Sequence, residues 1–293
     1  MEIFLQQIIN GLVQGSIYAL VALGYTMVYG ILGLINFAHG EVVMVGAMLA
    51  LSALTALIGW GVPLLLALPV SLMLAMAGCM LLGYGIERIA YRPLRHAPRL
   101  APLITAIGVS IVLQNLAMMI WGREYHAFPQ LINSQPHSIG GAIINDIQII
   151  IVIMALGIMA GLMVVVHRTR LGRAMRAVAE NQHAAQLMGV DVNRVISITF
   201  MLGSALAAIA GLMVSANYGL AHYYMGFLLG LKAFTAAVLG GIGNLRGAML
   251  GGLLLGLIES LGAGYIGDLT GGFLGSQYPV SYTHLTLPTI LRV

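Results

Sequence analysis

The sequence predicts an all-α, polytopic membrane helix bundle of about eight spans, with one further segment that is re-entrant or broken. Three observations predict it. Hydrophobic residues make up 60% of the 293-residue chain and charged residues only 8%, against roughly 25% charged in a soluble domain. The mean hydropathy is +0.97 over the whole length. The apolar residues fall in runs of about 20, the length a helix needs to cross a bilayer.

The runs are Ile8 to Val28, Val42 to Trp60, Pro63 to Ile86, Leu103 to Trp121, Ile147 to Val166, Val195 to Val214, Met225 to Ile242 and Ala248 to Ile266. The chain starts with Met1 and the acidic Glu2, so it lacks the cationic start of a cleavable signal, and its first run is expected to stay in the membrane. Gly30 to Glu41 is too polar and too short to span. A break of this kind is tolerated at membrane depth only where protein surrounds it or a cavity adjoins it. Residues 1–278 read as one transmembrane domain. Residues 279–293 are Thr-rich, contain Pro279 and Pro288, and read as a non-native tail outside the fold.

Basic residues orient the spans. Arg88, Arg92, Arg95 and Arg99 share one connection; Arg168, Arg170, Arg173, Arg176 and Arg194 share another. These are nine of the thirteen Lys and Arg residues. Cytoplasmic loops collect such charge, so both connections are expected inside. Residues 122–146 and the N-terminus are then expected outside.

Polar residues inside apolar sequence are the functional candidates, because an intramembrane charge costs about 2.5–3.5 kcal/mol on insertion scales. Asn36, His39 and Glu41 lie in the break and are candidates for a translocation path; the alternative is an interfacial turn. Lys232 and Glu259 stand alone in their runs and read as structural pairs, Lys232 with the option of snorkelling to water. The repeats Gly11-x-x-x-Gly15 and Gly252-x-x-x-Gly256 read as close helix contacts. Gly33-x-x-Asn36…Gly40 is echoed by Gly241-x-x-Asn244…Gly247, a weak internal repeat of the kind transporters use.

The connection from His167 to Arg194 has more order than charge bias requires. Arg170, Arg173 and Arg176 recur every three residues on one helical face. Ala174, Ala177, Ala184, Ala185 and Leu187 supply a small apolar face, and Gly189 follows. The pattern reads as a helix that docks in a partner's groove. A nucleic-acid surface would need aromatic interleaving, and there is none. Soluble catalytic signatures are missing: no G-x-x-x-x-G-K-[ST], no H-E-x-x-H and no Cys cluster. Cys79 is the single cysteine, so no intrachain disulfide forms. The 18 methionines read as packing residues, not copper ligands.

The run from Gly11 to Glu41, ending Asn36-Phe-Ala-His-Gly-Glu41, resembles the start of the branched-chain amino-acid permeases of ABC-type importers, the LivH-type subunits. The likeness extends to about Tyr278, and the Asn36 to Glu41 run is also similar to urea permeases. Ala184-Ala-Gln-Leu-Met-Gly189 resembles the coupling motif Glu-Ala-Ala-x-x-x-Gly of ABC permeases. His183 stands in place of its Glu, and Val195 to Phe200 lacks the usual Leu-Pro.

The resemblance implies a multi-pass permease subunit of the bacterial inner membrane. Its partners would be a second related permease, two cytoplasmic ATPases, a periplasmic binding protein and lipid. It implies that ATP binds those partners, that this chain is no enzyme and binds no cofactor or metal, and that leucine, isoleucine or valine crosses by alternating access. Arg173, Arg176, Ala184, Ala185 and Gly189 would form the coupling loop. The family is also expected to end with one more span, which residues 279–293 are too short and polar to supply. Rival readings are a urea or short-amide permease of the same class, a stand-alone secondary transporter or channel, and a membrane enzyme, for which no paired acid and base speaks.

Overall fold

The computed structural model describes residues 2–95, 97–98, 100–131 and 135–269, without the side chains of 267–269. Arg99 and the segment 279–293 lie outside the described residues. Seven helices are long and apolar enough to cross a membrane. They are α1 (Glu2–Leu32), α2 (His39–Gly59), α3 (Leu64–Gly85), α4 (Leu100–Trp121), α5 (Asp146–Arg168), α8 (Val192–Tyr218) and α10 (Leu245–Leu269). Between α5 and α8 lie the short α6 (Arg170–Glu180) and α7 (Gln182–Leu187); α9 is Met225–Leu239. Two antiparallel ribbons complete the described chain. β1 (His126–Ala127) pairs with β4 (Leu220–Ala221), and β2 (Pro136–Ile139) with β3 (Ala142–Asn145).

The eighth expected span is corrected. The run from Met225 to Ile242 yields only the 15 residues of α9, roughly 22 Å of helix against a hydrocarbon core of about 30 Å. The chain ahead of α9 enters the bundle as a second break. Gly219, at φ 70°, ends α8, and residues 220–224 carry the chain inward to Met225. This break falls between the apolar runs Val195 to Val214 and Met225 to Ile242; what the hydropathy reading over-counts is α9, which stops at Leu239.

The first break is narrower than expected. Helix α1 runs to Leu32, Gly33 turns at φ 63°, and α2 begins at His39. The His39 ring packs against Gly24, eight residues before the end of α1 and roughly 12 Å along it. Residues 33–38 therefore fold back into the bundle.

Helices α1 and α8 form the hub. Residues 15–28 of α1 and 203–215 of α8 are buried on every face, as an all-round apolar helix requires. Outer helices bury narrow stripes of small residues. In α3 the stripe is Ala67, Ser71, Ala75, Cys79 and Gly83, while Leu65, Met73 and Leu81 point outward. The predicted Gly contacts are present: a Cβ on Gly15 would lie 2.8 Å from Leu253 Cα, and one on Gly256 would strike the Gly15 backbone.

The packing has internal symmetry. Helix α1 packs on α10 as α8 packs on α3; α1 meets α9 as α8 meets α2; and α9 meets α10 as α2 meets α3. Exchanging α1–α2–α3 with α8–α9–α10 leaves these pairings unchanged. The two breaks enter from opposite ends, so this is an inverted repeat. The Gly-x-x-Asn echo is a separate, local likeness. Gly33 and Gly241 both have positive φ, and Asn36 and Asn244 each accept the N–H two residues on, at 3.1 Å. The sequence echo is thus a repeated helix-to-helix turn.

Candidate translocation and coupling sites

Helices α2 and α9 both start inside the bundle and touch there. A Cβ on Gly40 would lie 2.5 Å from the Gly226 carbonyl oxygen, and one on Gly226 would lie 2.5 Å from that of Gly40. The starts of α2 and α9 thus cross backbone to backbone. Asn36, His39 and Glu41 are all buried at this crossing.

Their bonding differs. Asn36 Oδ1 accepts from Tyr91 Oη at 2.9 Å and from the Ala38 N–H at 3.1 Å, so its role is to hold the break. Glu41 Oε1 accepts from Gln114 Nε2 at 2.6 Å and Ser110 Oγ at 3.2 Å, both on α4. Glu41 Oε2 and His39 Nε2 are buried without a hydrogen-bond partner. A small cavity of about 60 Å³ adjoins Glu41, bounded by Tyr25, Phe37, Ser110, Gly226 and Gly230. Buried polar atoms are normally satisfied; Glu41 lines this cavity and can meet a solute or water there, whereas His39 does not line it and its ring packs on Gly24.

Lys232 and Glu259 are structurally paired, as expected, and the partner the sequence left open is in each case the other, across α9 and α10. Sequence reasoning missed the third member, Tyr18 of α1. Its hydroxyl donates to Glu259 Oε2 at 3.0 Å and accepts from Lys232 Nζ at 3.1 Å. The pairing replaces the snorkelling option for Lys232. A second buried pair was missed outright. Helix α3 continues into a π-helical turn, Ile86–Tyr91, which points the buried Glu87 at Arg95 and Ser197 Oγ. Arg95 Nη1 also donates to Asn193 Oδ1 of α8 at 2.6 Å. The ion pair explains Arg95 beyond charge bias; π-turns frequently occur at functional sites.

The basic connection is a two-helix element. Thr169 Oγ1 caps α6, Asn181 Oδ1 caps α7, and Asp191 Oδ1 caps α8, each satisfying an N–H that the helix start leaves free. The buried stripe of α6 is Gly172, Met175 and Val178; Ala174 is half-buried and Ala177 is exposed. Ala184 faces outward, but Ala185 is buried against the chain itself. Leu187 and Met188, 76% and 84% exposed, form the outward apolar surface, and Gly189 turns the chain at φ 83°. Arg173 is exposed; Arg176 reaches back to the Val166 carbonyl.

The element grips the first break: Gln182 Nε2 donates to the Ile31 carbonyl at 3.0 Å, two residues before Gly33. The opposite end of α1 is held by the β2–β3 ribbon, where Gln6 exchanges hydrogen bonds of 2.9 and 2.7 Å with Ile143. The two-helix element and that ribbon therefore lie at opposite ends of the bundle, which matches the orientation expected from charge. Among the described residues no cluster of His, Cys, Asp and Glu could hold a metal ion.

Seven helices long and apolar enough to cross a membrane, a shorter apolar helix α9 that starts against the start of α2, and a capped helical element at one end fit a multi-pass membrane transport subunit. The chain belongs to the family described as branched-chain amino acid transport system / permease component, whose profile matches residues 7–285. It is 48% identical to the high-affinity branched-chain amino acid transport system permease protein BraD of Pseudomonas aeruginosa, over 90% of this chain and 88% of that protein. It is 46% identical to LivH of Escherichia coli K12, over 90% and 87% respectively. A more distant relative is the fructose import permease protein FruG of Bifidobacterium longum, 27% identical over 83% of this chain and 71% of that protein. No solved structure matches the chain.

Proposed function

We propose that this chain is one membrane-spanning subunit of an ATP-driven importer that carries leucine, isoleucine and valine across the bacterial inner membrane. A second related permease completes the pathway, two cytoplasmic ATPases bind the nucleotide, and a periplasmic protein delivers the cargo. Similarity to BraD and LivH across nine-tenths of the chain supports the cargo class. The observation that carries the mechanism is the hydrogen bond from Gln182 to Ile31, because it ties the exposed two-helix element to the break that starts α2.

The geometry supports alternating access as follows. Ala184, Leu187 and Met188 sit in a groove of an ATPase, and Gly189 lets the chain turn away without a Cβ clash. Closure of the ATPases moves α6 and α7. The motion passes through Gln182 to Ile31 and the Gly33 turn. Asn36 and Tyr91 carry it to the π-helical turn, while His39 and Glu41 move with the start of α2. A rigid tilt of α2 against α9 then opens one end of the path and closes the other. Glu41 Oε2 offers a hydrogen bond to the ammonium end of the cargo as it passes, and Arg173 faces the ATPase side.

Purification in mild detergent tests the assembly. The expected result is co-purification of two ATPase copies and one related permease with this chain. Recovery of the chain alone, with leucine transport intact, would identify a secondary transporter instead.

A further inference from the structure

A second cavity lies on the other side of the α9 start. It measures about 350 Å³ and is walled by Ile17 of α1, Val214 of α8, and Met225, Leu228 and Leu229 of α9. That volume lies within the roughly 300–1,000 Å³ of small-molecule sites. Tyr125 and His222 stand at its rim, their rings stacked at 4.2 Å, beside the β1–β4 ribbon. This is the end of the bundle at which Tyr218 and Gly219 close α8, opposite the α6–α7 element.

The polar groups of this cavity are few and fixed. Lys232 lines it, whereas its partner Glu259 lines a separate, more polar cavity. An ammonium group has three N–H donors. Two of those on Lys232 go to Tyr18 and Glu259, and one remains for the cavity. One turn before Tyr18 on α1, Gln14 Nε2 donates to Tyr218 Oη at 3.3 Å. The Gln14 side-chain oxygen Oε1 has no partner among the described residues and is an acceptor in the same cavity. Glu259 does not line this cavity but the separate one, so an anion entering here meets the ammonium of Lys232 and not the carboxylate.

We propose that this cavity is the entry site for the cargo, taking an aliphatic L-amino acid. The ligand carboxylate meets the remaining N–H of Lys232. The ligand ammonium meets Gln14 Oε1 and Tyr218, about one helical turn from Tyr18 along α1. Its branched side chain packs on Ile17, Val214, Met225, Leu228 and Leu229. Met225 bounds this cavity and Gly226 bounds the one beside Glu41, so the first turn of α9 is the wall the cargo passes to leave it. The inference rests on the proposed amino-acid import and adds the place where the amino acid first binds.

The test uses the assembled importer in vesicles, with its binding protein, and photo-leucine, the diazirine analogue of leucine, as probe. Irradiation during turnover followed by peptide mapping is expected to label peptides carrying Ile17, Val214 or Leu229, with labelling suppressed by excess leucine. A second arm uses Leu228→Trp. Leu228 is 54% exposed, so the indole enters the cavity without displacing buried packing. Leucine uptake is expected to fall by about tenfold or more, with subunit assembly unchanged. Label confined to other segments, label that leucine does not suppress, or full uptake by Leu228→Trp would each overturn the site while leaving the importer intact. Wild-type vesicles that take up no leucine would overturn the proposed function itself.

Discussion

Replacing Gly40 by alanine tests the crossing of the starts of α2 and α9. The added Cβ would lie 2.5 Å from the Gly226 carbonyl oxygen and 2.8 Å from Gly230 Cα, where ordinary contact starts at 3.4 Å. The oxygen must therefore retreat by about 0.9 Å. Both obstacles are backbone atoms of α9, so no side chain can swing aside, and the start of α9 has to move as a body. Overpacking of this kind costs about 1–3 kcal/mol, which lowers the folded-to-unfolded ratio roughly 5- to 150-fold at 1.36 kcal/mol per factor of ten. Gly157 is the control: it lies inside α5, and a Cβ there meets nothing within 4 Å. Thermal unfolding of the purified complex in lipid nanodiscs is the assay, with leucine uptake measured alongside. Gly40→Ala is expected to melt earlier and transport less, and Gly157→Ala to match the wild type. Equal melting and equal uptake for the two variants would refute the backbone crossing.

Lys232→Met leaves Glu259 buried without its cation and is expected to cost about 3–5 kcal/mol. The double variant Lys232→Met/Glu259→Gln should recover most of that loss in the same melting assay, and failure to recover would deny that the pair is a unit. Asn36→Leu removes the acceptor of both Tyr91 Oη and the Ala38 N–H. It is expected to destabilise by about 1–3 kcal/mol and to lower uptake, whereas Tyr91→Phe, which leaves the Ala38 bond, should do less; a reversed order would argue against Asn36 as the anchor of the break. Single cysteines at Arg88 or Arg173, in a Cys79→Ser background, should resist a membrane-impermeant thiol reagent added to intact cells. Labelling at either position would invert the topology.

The long spans were legible because twenty-residue apolar runs have few alternatives in a bilayer. The first break was legible because Asn36, His39 and Glu41 are costly in lipid. The second was legible as a gap between apolar runs but not as a re-entry, because the run Met225 to Ile242 looks long enough to span while its helix stops at Leu239. Small-residue contacts at Gly11 and Gly15 were legible from four-residue spacing alone. The partner of Lys232 was not, since Glu259 is 27 residues away on the next helix and Tyr18 is 214 away. The basic connection was legible as an amphipathic element, but not the facing of its residues. The helix splits at Asn181, and that split turns Ala185 inward and Met188 outward. Ala185→Trp would consequently disturb this chain's own packing, and Ala184 is the position at which bulk reaches a partner first.

The central claim is that ATPase partners drive this chain through α6 and α7, and leucine uptake with simultaneous ATP hydrolysis in reconstituted vesicles tests it most directly. With the wild-type chain, uptake should require ATP on the ATPase side, and leucine-loaded binding protein should stimulate hydrolysis. Ala184→Trp and Gly189→Val should abolish stimulated uptake while the spans insert and melt as in the wild type, through either lost ATPase subunits or hydrolysis without transport. Full uptake, full stimulated hydrolysis and full partner occupancy in both variants, or uptake driven by an ion gradient without ATP, would contradict it.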